Sequence, residues 1–147
     1  LGQRGIVRSV ITQNVDGLHQ AAGSQRVHEL HGSIHRNYCC SCKKRYGLDT
    51  ILHTEGVPYC ECGGIIRPDV VLYEEPLDQQ VMQAAVNDIA SAKTLIIAGT
   101  SRVVYPAAGL TDFFTGDNLI VINRNPSALD RNADYCLALN VGEVFDW

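Results

Sequence analysis

The sequence predicts an α/β protein, a doubly wound sheet of parallel strands interrupted by a small cysteine-rich insertion. Three observations carry that expectation. Apolar runs such as TLIIAG and NLIVIN read as buried strands and alternate with helical stretches, the pattern of a parallel sheet covered on both faces. Periodicity vanishes from His35 to Pro68, where Cys, Gly and Lys/Arg dominate. Five of the six cysteines fall between Cys39 and Cys62.

In chain order, IVRSVIT (6–12) is a β-branched run and reads as a strand, followed by a turn at Asp16-Gly17 and a short helix ending at Gly23. RVHELHG (26–32) alternates as a second strand, and DVVLY (69–73) reads as extended. In LDQQVMQAAVNDIASA, Val81, Met82, Ala85, Val86 and Ile89 share one helical face, with Asp78 as the cap. Strand TLIIAG, helix PAAGLTDFF, strand NLIVIN and strand YCLAL follow, and GEVFDW begins to look helical. The boundaries drawn are 1–34 and 73–147 for the two parts of the sheet domain and 35–72 for the insertion.

At 147 residues and 46% hydrophobic, the chain is long enough for one ordinary domain. A net charge of -4 argues against broad electrostatic binding to nucleic acid or anionic membrane. No apolar run approaches the roughly 18 residues of a membrane span, so a soluble, cytoplasmic protein is expected. The chain begins at Leu1 rather than Met and is read as a fragment.

Cys39-x2-Cys42 and Cys60-x-Cys62 supply two short thiolate clips, the arrangement that closes a tetrahedral shell around one structural zinc ion. Cys39 is preferred to Cys40 because it leaves the two-residue spacer, and His35 and His53 are read as ordinary surface histidines. Lys43, Lys44 and Arg45 are expected to be solvated. Elsewhere, AGTS (98–101) ends an apolar strand where open α/β sheets bind ligands: Gly99 would admit a ligand to the backbone and Ser101 could donate to phosphate or ribose, or the segment is a tight turn. Asn123 at the end of VIN is fit either to bond a ribose or to cap a turn. His31 is either a packed histidine or a general base, since imidazole titrates near neutrality.

The run TQNVDGLH, HELHG, the two cysteine clips, RPDVVLYEE, AGTS with the following PAA, and VIN resembles the sirtuins, NAD-dependent protein-lysine deacylases, in order and spacing over nearly the whole chain. The resemblance implies a Rossmann-like domain carrying a zinc ribbon. It implies a site in which Gln13, Asn14 and Asp16 line the nicotinamide-ribose pocket, His31 is the base, and Asn14 assists catalysis. Gly99, Thr100 and Ser101 would face cofactor phosphates and ribose, Asn123 the adenosine ribose, and the stretch around Cys136 the adenine. An acyl-lysine peptide would pair in extended form, flanked by Val71, Tyr73 and Glu74 on one side and Val103 and Val104 on the other.

Three departures from the sirtuin pattern stand out. The family's N-terminal Gly-Ala-Gly-x-Ser phosphate loop and the arginine-bearing loop after it have no counterpart, so an incomplete sheet domain with an exposed edge and self-association is expected. Glu74 stands where the family has glycine, and Arg102 replaces an apolar residue and could pair with Glu74 or with an acidic substrate. The alternatives to an active deacetylase are a catalytically inactive fragment and a zinc-ribbon module gripping nucleic acid through Arg36, Lys43, Lys44 and Arg45. Acidic overall charge and missing aromatic platforms speak against the last.

Overall fold

The structure is a computed structural model that describes residues 4–100, 107–125 and 128–145. The chain divides into two compact units, Leu1–Met82 and Gln83–Trp147.

In the first unit, β1 (Val10–Thr12) pairs in parallel with β2 (Val27–Glu29), with Val10 opposite Val27. The expected strand from Ile6 is therefore shortened. A strand persists only where a ladder partner satisfies its backbone, and β2 offers three residues, so Ile6 is left 60% exposed. Between them α1 (Leu18–Ala21) opens where the Asp16 carboxylate accepts the Leu18 N–H at 3.0 Å.

The stretch without periodicity forms a sheet of its own, which the sequence reading did not anticipate. β3 (Gly32–Cys39) lies between β4 (Arg45–Tyr46) and β5 (Ile66–Val70), both antiparallel to it, with α2 (Leu48–Leu52) in the intervening loop. The register slips between Ser33 and Asn37, a bulge that breaks the two-residue alternation by which a strand is recognised. A small core of Cys39, Cys60 and Ile66 is closed by Tyr46 and Ile51. Gly32 at the start of β3 has φ +79°, and a Cβ there would stand 1.9 Å from the Asp69 carbonyl oxygen. Only glycine allows the two backbones to meet so closely.

The helix α3 (Gln79–Ala90) follows the sequence pattern: Ala85 and Ile89 are buried, Val81, Met82 and Val86 half-buried, and Gln83 and Asn87 exposed. Its start is capped as expected, the Asp78 carboxylate accepting the N–H groups of Gln80 at 2.7 Å and Val81 at 3.1 Å.

In the second unit β6 (Thr94–Ala98), β7 (Asn118–Ile122) and β8 (Tyr135–Leu137) form a parallel sheet in that order. The last helix, α4, spans Val141–Phe145. Successive residues of a strand face opposite sides, so Val121 at 2% and Ile122 at 1% exposure show both faces of β7 covered at its end. The expected cover is absent at β8, which is exposed throughout, and at Ile96, which is 40% exposed. Both strands are edges of a three-stranded sheet, and neither has a neighbour on its outer side among the described residues. The segment expected to be an α-helix after Pro106 is a 3-10 helix, Ala107–Phe113. Gly109 and the β-branched Thr111 lower its α propensity, and it closes with the Phe114 N–H on the Thr111 carbonyl. Among the described residues no helix is long and apolar enough to cross a membrane.

Replacing Asp78 by Ala removes both cap bonds of α3 and should lower stability by about 1 kcal/mol. Urea unfolding should show an earlier midpoint at an unchanged slope.

Candidate functional site: a cysteine cluster, a strand-end histidine and a sheet-end cleft

The Sγ atoms of Cys39, Cys42, Cys60 and Cys62 all lie within 4.8 Å of one another. Cys39 to Cys62 and Cys42 to Cys60 are both 3.5 Å apart. Four thiolates around zinc at about 2.3 Å would stand roughly 3.8 Å from one another, so the donor set and its size fit that ion. The four cysteines named from spacing are the four brought together, and the short Cys60-x-Cys62 clip is accommodated by a tight turn. The Gly63 N–H bonds the Cys60 carbonyl at 2.8 Å and the Cys60 N–H the Gly64 carbonyl at 2.8 Å. His35 and His53 stay outside the cluster, their rings on the backbone carbonyls of Asp16 and Asp49, both at 2.9 Å.

Tyr46 was not foreseen. Its hydroxyl donates to the Cys60 sulfur at 3.0 Å. The backbone N–H of Cys62 and this hydroxyl together draw the Cys60 thiol down to about 6. Cys42, although the Lys44 backbone N–H lowers it, is pushed up to about 12 by the neighbouring sulfurs of Cys62 and Cys60. Thiols crowded this closely cannot all ionise alone, whereas a dication takes them as thiolates and releases their protons. The basic flank of Lys43, Lys44 and Arg45 is exposed, as expected, and two of its side chains also have neighbours. Lys44 pairs with Glu61 at 2.9 Å and lies over the Tyr46 ring, and Lys43 lies over Tyr38 at 5.4 Å.

Where β1 stops, the crowded polar residues divide their labour. The Thr12 hydroxyl accepts the Asn14 N–H at 3.0 Å, and Asp16 opens α1, so both serve the local chain path. The Asn14 side chain is exposed, and Gln13 is half-buried. His31 follows β2, and its Nδ1 lies 3.0 Å from the Gln13 carbonyl oxygen. A carbonyl only accepts, so Nδ1 carries the proton and Nε2 is left as the basic nitrogen. The His31 carbonyl in turn accepts the Val71 N–H at 3.0 Å, tying the histidine to the chain leaving β5.

DVVLY is strand only through Val70, and the chain turns at Tyr73 and Glu74. The Glu75 carboxylate accepts the Leu72 N–H at 2.9 Å and both arms of Arg67, at 2.7 and 3.0 Å, while Arg67 also donates to the Val70 carbonyl. Neither residue of this clamp was singled out from sequence, although an arginine and a glutamate bracketing an apolar run is the signal. Tyr73 is fully exposed, and Glu74 occupies the left-handed region at φ +70°. That conformation costs a non-glycine residue about 1–2 kcal/mol. The Arg102 side of the expected pairing lies outside the described residues. Among the described residues Glu74 has no ion-pair or hydrogen-bond partner.

In the second unit a cleft of about 390 Å³ opens at the carboxyl ends of β6 and β7, lined by Gly99, Thr100, Asn123, Arg124 and Asn140 among others. This is where open α/β sheets bind ligands. Gly99 has φ +67°. The Asn123 side-chain amide nitrogen is buried without a hydrogen-bond partner among the described residues, a donor open to an acceptor. Cys136 does not line this cleft. It borders a smaller cavity of about 60 Å³ that shares Asn123, and its thiol faces the Asp130 carbonyl at 3.6 Å. Arg124, also on the cleft wall, was missed because an exposed arginine after a strand has no distinguishing pattern. Ser101, Val103 and Val104 lie outside the described residues.

Arg67, and then the Leu72 N–H, hold Glu75 at about 2, below its ordinary 4.5. A depressed carboxylate adds stability above the unfolded value and loses it as pH falls through the folded one. Thermal melts of wild type should therefore weaken between about pH 4.5 and 2, and Glu75→Gln should flatten that part of the profile. Stripping zinc with a strong chelator should unravel residues 35–68, seen as a loss of far-UV circular dichroism and cooperative melting that zinc restores. An unaltered melt after complete removal would show that the metal does not hold the module.

The Sir2 family profile matches residues 1–106. The NAD-dependent protein deacetylase of Clostridium acetobutylicum is 51% identical over 146 residues, spanning 98% of this chain and 60% of that protein. The enzyme of the same name from Clostridium perfringens is 52% identical, again over 60% of its length. Among solved structures, "Sir2-p53 peptide-NAD+" superposes with a TM-score of 0.90 at 38% identity, covering 97% of this chain and 62% of that one. "Sir2 bound to acetylated peptide" gives 0.90 at 36% identity. The chain thus spans about three fifths of the curated relatives it matches. With a profile match over most of its length and relatives at half identity, the chain belongs to the Sir2 family.

Proposed function

We propose that this chain carries the peptide-binding, zinc-binding and ribose-facing part of an NAD-dependent protein-lysine deacetylase. The observation that carries the reading is the His31 ring, held by the Gln13 carbonyl in the tautomer whose Nε2 can accept a proton. NAD, when bound, supplies the ribose that receives the acyl group and the nicotinamide that leaves. His31 Nε2 takes a proton from a ribose hydroxyl, and its Nδ1–H, fixed on Gln13, keeps the ring oriented. The amides of Gln13 and Asn14 bind and orient the sugar at the end of β1, and the Asp16 carboxylate, whose Oδ1 opens α1, offers its Oδ2. In the second unit the cleft with Gly99, Thr100 and Asn123 suits phosphate and ribose groups, and the Asn123 donor, unsatisfied among the described residues, fits a hydroxyl acceptor. The segment about Cys136 contributes backbone beside the adenine. An acyl-lysine peptide pairs with the chain leaving β5, with Val71 and Tyr73 beside the acyl-lysine.

The nucleic-acid alternative is disfavoured because most of its cations are committed internally. Arg36 bridges Glu29 and Asp69, Lys44 pairs with Glu61 and Lys43 lies over Tyr38.

The test is incubation of an acetyl-lysine peptide and NAD with the full-length protein containing this chain, following nicotinamide. Stoichiometric release is expected, and His31→Ala should cut kcat by about 10²- to 10⁴-fold. Full activity in that variant would remove His31 from the mechanism.

A further inference from the structure

The segment from Ile66 to Glu75 carries three carboxylates, and the structure treats them differently. Asp69 faces the Arg36 guanidinium at 3.1 Å, and Glu75 is gripped by Arg67 at 2.7 Å. Glu74 alone has no cationic partner among the described residues, and it is exposed. It also sits at φ +70°, a backbone conformation that favours glycine. A strained residue with an uncompensated charge does nothing for the turn itself, which the Arg67–Glu75 clamp already holds. Beside it Tyr73 is 101% exposed and Leu72 58%, large side chains that a folded chain normally covers.

These groups follow an outer strand. In the order β4-β3-β5, β5 has a strand neighbour on one side only among the described residues, although its Ile66 N–H bonds the Pro58 carbonyl and its Val70 carbonyl takes Arg67. An extended peptide adding to that edge through its backbone would meet Tyr73 and Glu74 as its first side-chain contacts beyond the strand. A carboxylate next to an aromatic face suits a guanidinium or ammonium on an apolar stem, the stem lying on the ring and the charge on the carboxylate.

From this juxtaposition, and resting on the deacetylase reading above, we infer that Tyr73 and Glu74 select acyl-lysine substrates with a basic residue flanking the acylated lysine. Glu74 is thereby a specificity-determining residue. Its effect is electrostatic and falls with ionic strength, because the pair it forms lies at the rim of the site.

Acetyl-lysine peptides differing only in one flanking residue, Arg, Ala or Glu, test this with the full-length protein. Nicotinamide release and, separately, peptide binding by fluorescence anisotropy are measured at low and high salt. We expect kcat/KM to fall in the order Arg, Ala, Glu, with about threefold to tenfold between the extremes, carried mainly by KM and compressed by salt. Glu74→Gln should bring the ratio close to one, and Glu74→Lys should invert the order. Equal turnover and binding of the three peptides by wild type would overturn the inference without recourse to any variant. So would a preference that survives in Glu74→Gln. Absence of nicotinamide release from every peptide would overturn the deacetylase reading instead, while the anisotropy series would still decide whether Glu74 discriminates charge.

Discussion

The pairing of β3 with β5 is the constraint on which the first unit depends. At one end of β3, Gly32 lies against the Asp69 carbonyl, and the adjacent His31 is bonded to Val71. At the other end Cys39 lies opposite Ile66, in the core that closes on the cysteine cluster. Seven residue steps at about 3.3 Å each put these ends roughly 23 Å apart on one strand. The cysteine cluster and the histidine are thus tied to opposite ends of one strand, across the bulge between Ser33 and Asn37.

Charged pairs refine that framework. Arg36 reaches from β3 to Glu29 on β2 and to Asp69 on β5, and Arg67 joins β5 to the turn at Glu75. Pairs with this much solvent contribute at most about 1 kcal/mol each. Their larger consequence is geometric, since a two-armed guanidinium fixes the separation of the groups it bridges. The chain leaving β5 is accordingly held by Val71 on one side and Glu75 on the other, which leaves Tyr73 and Glu74 projecting.

The second unit works on a different principle. Its strands end in a common row, and the cleft there arises from the parallel arrangement itself, with Gly99 and Asn123 at adjacent strand ends. The buried Asn123 amide nitrogen, unsatisfied among the described groups, lies at this cleft.

Sequence alone determined what depends on short spacings and local chemistry. The four ligands lie in two clips, Asp78 caps the helix it precedes, and the apolar face from Val81 to Ile89 repeats with the helical period. Each is decided within a few residues, so neighbours in the chain are neighbours in space. Tertiary structure alone decided what depends on partners far apart in sequence. The length of β1 was set by β2, and the sheet of the insertion by a bulged ladder invisible to periodicity. The tautomer of His31 was set by a carbonyl 18 residues away, and the ionisation of Cys60 in part by Tyr46. No local pattern encodes such contacts, because they exist only once the backbone has brought the two segments together.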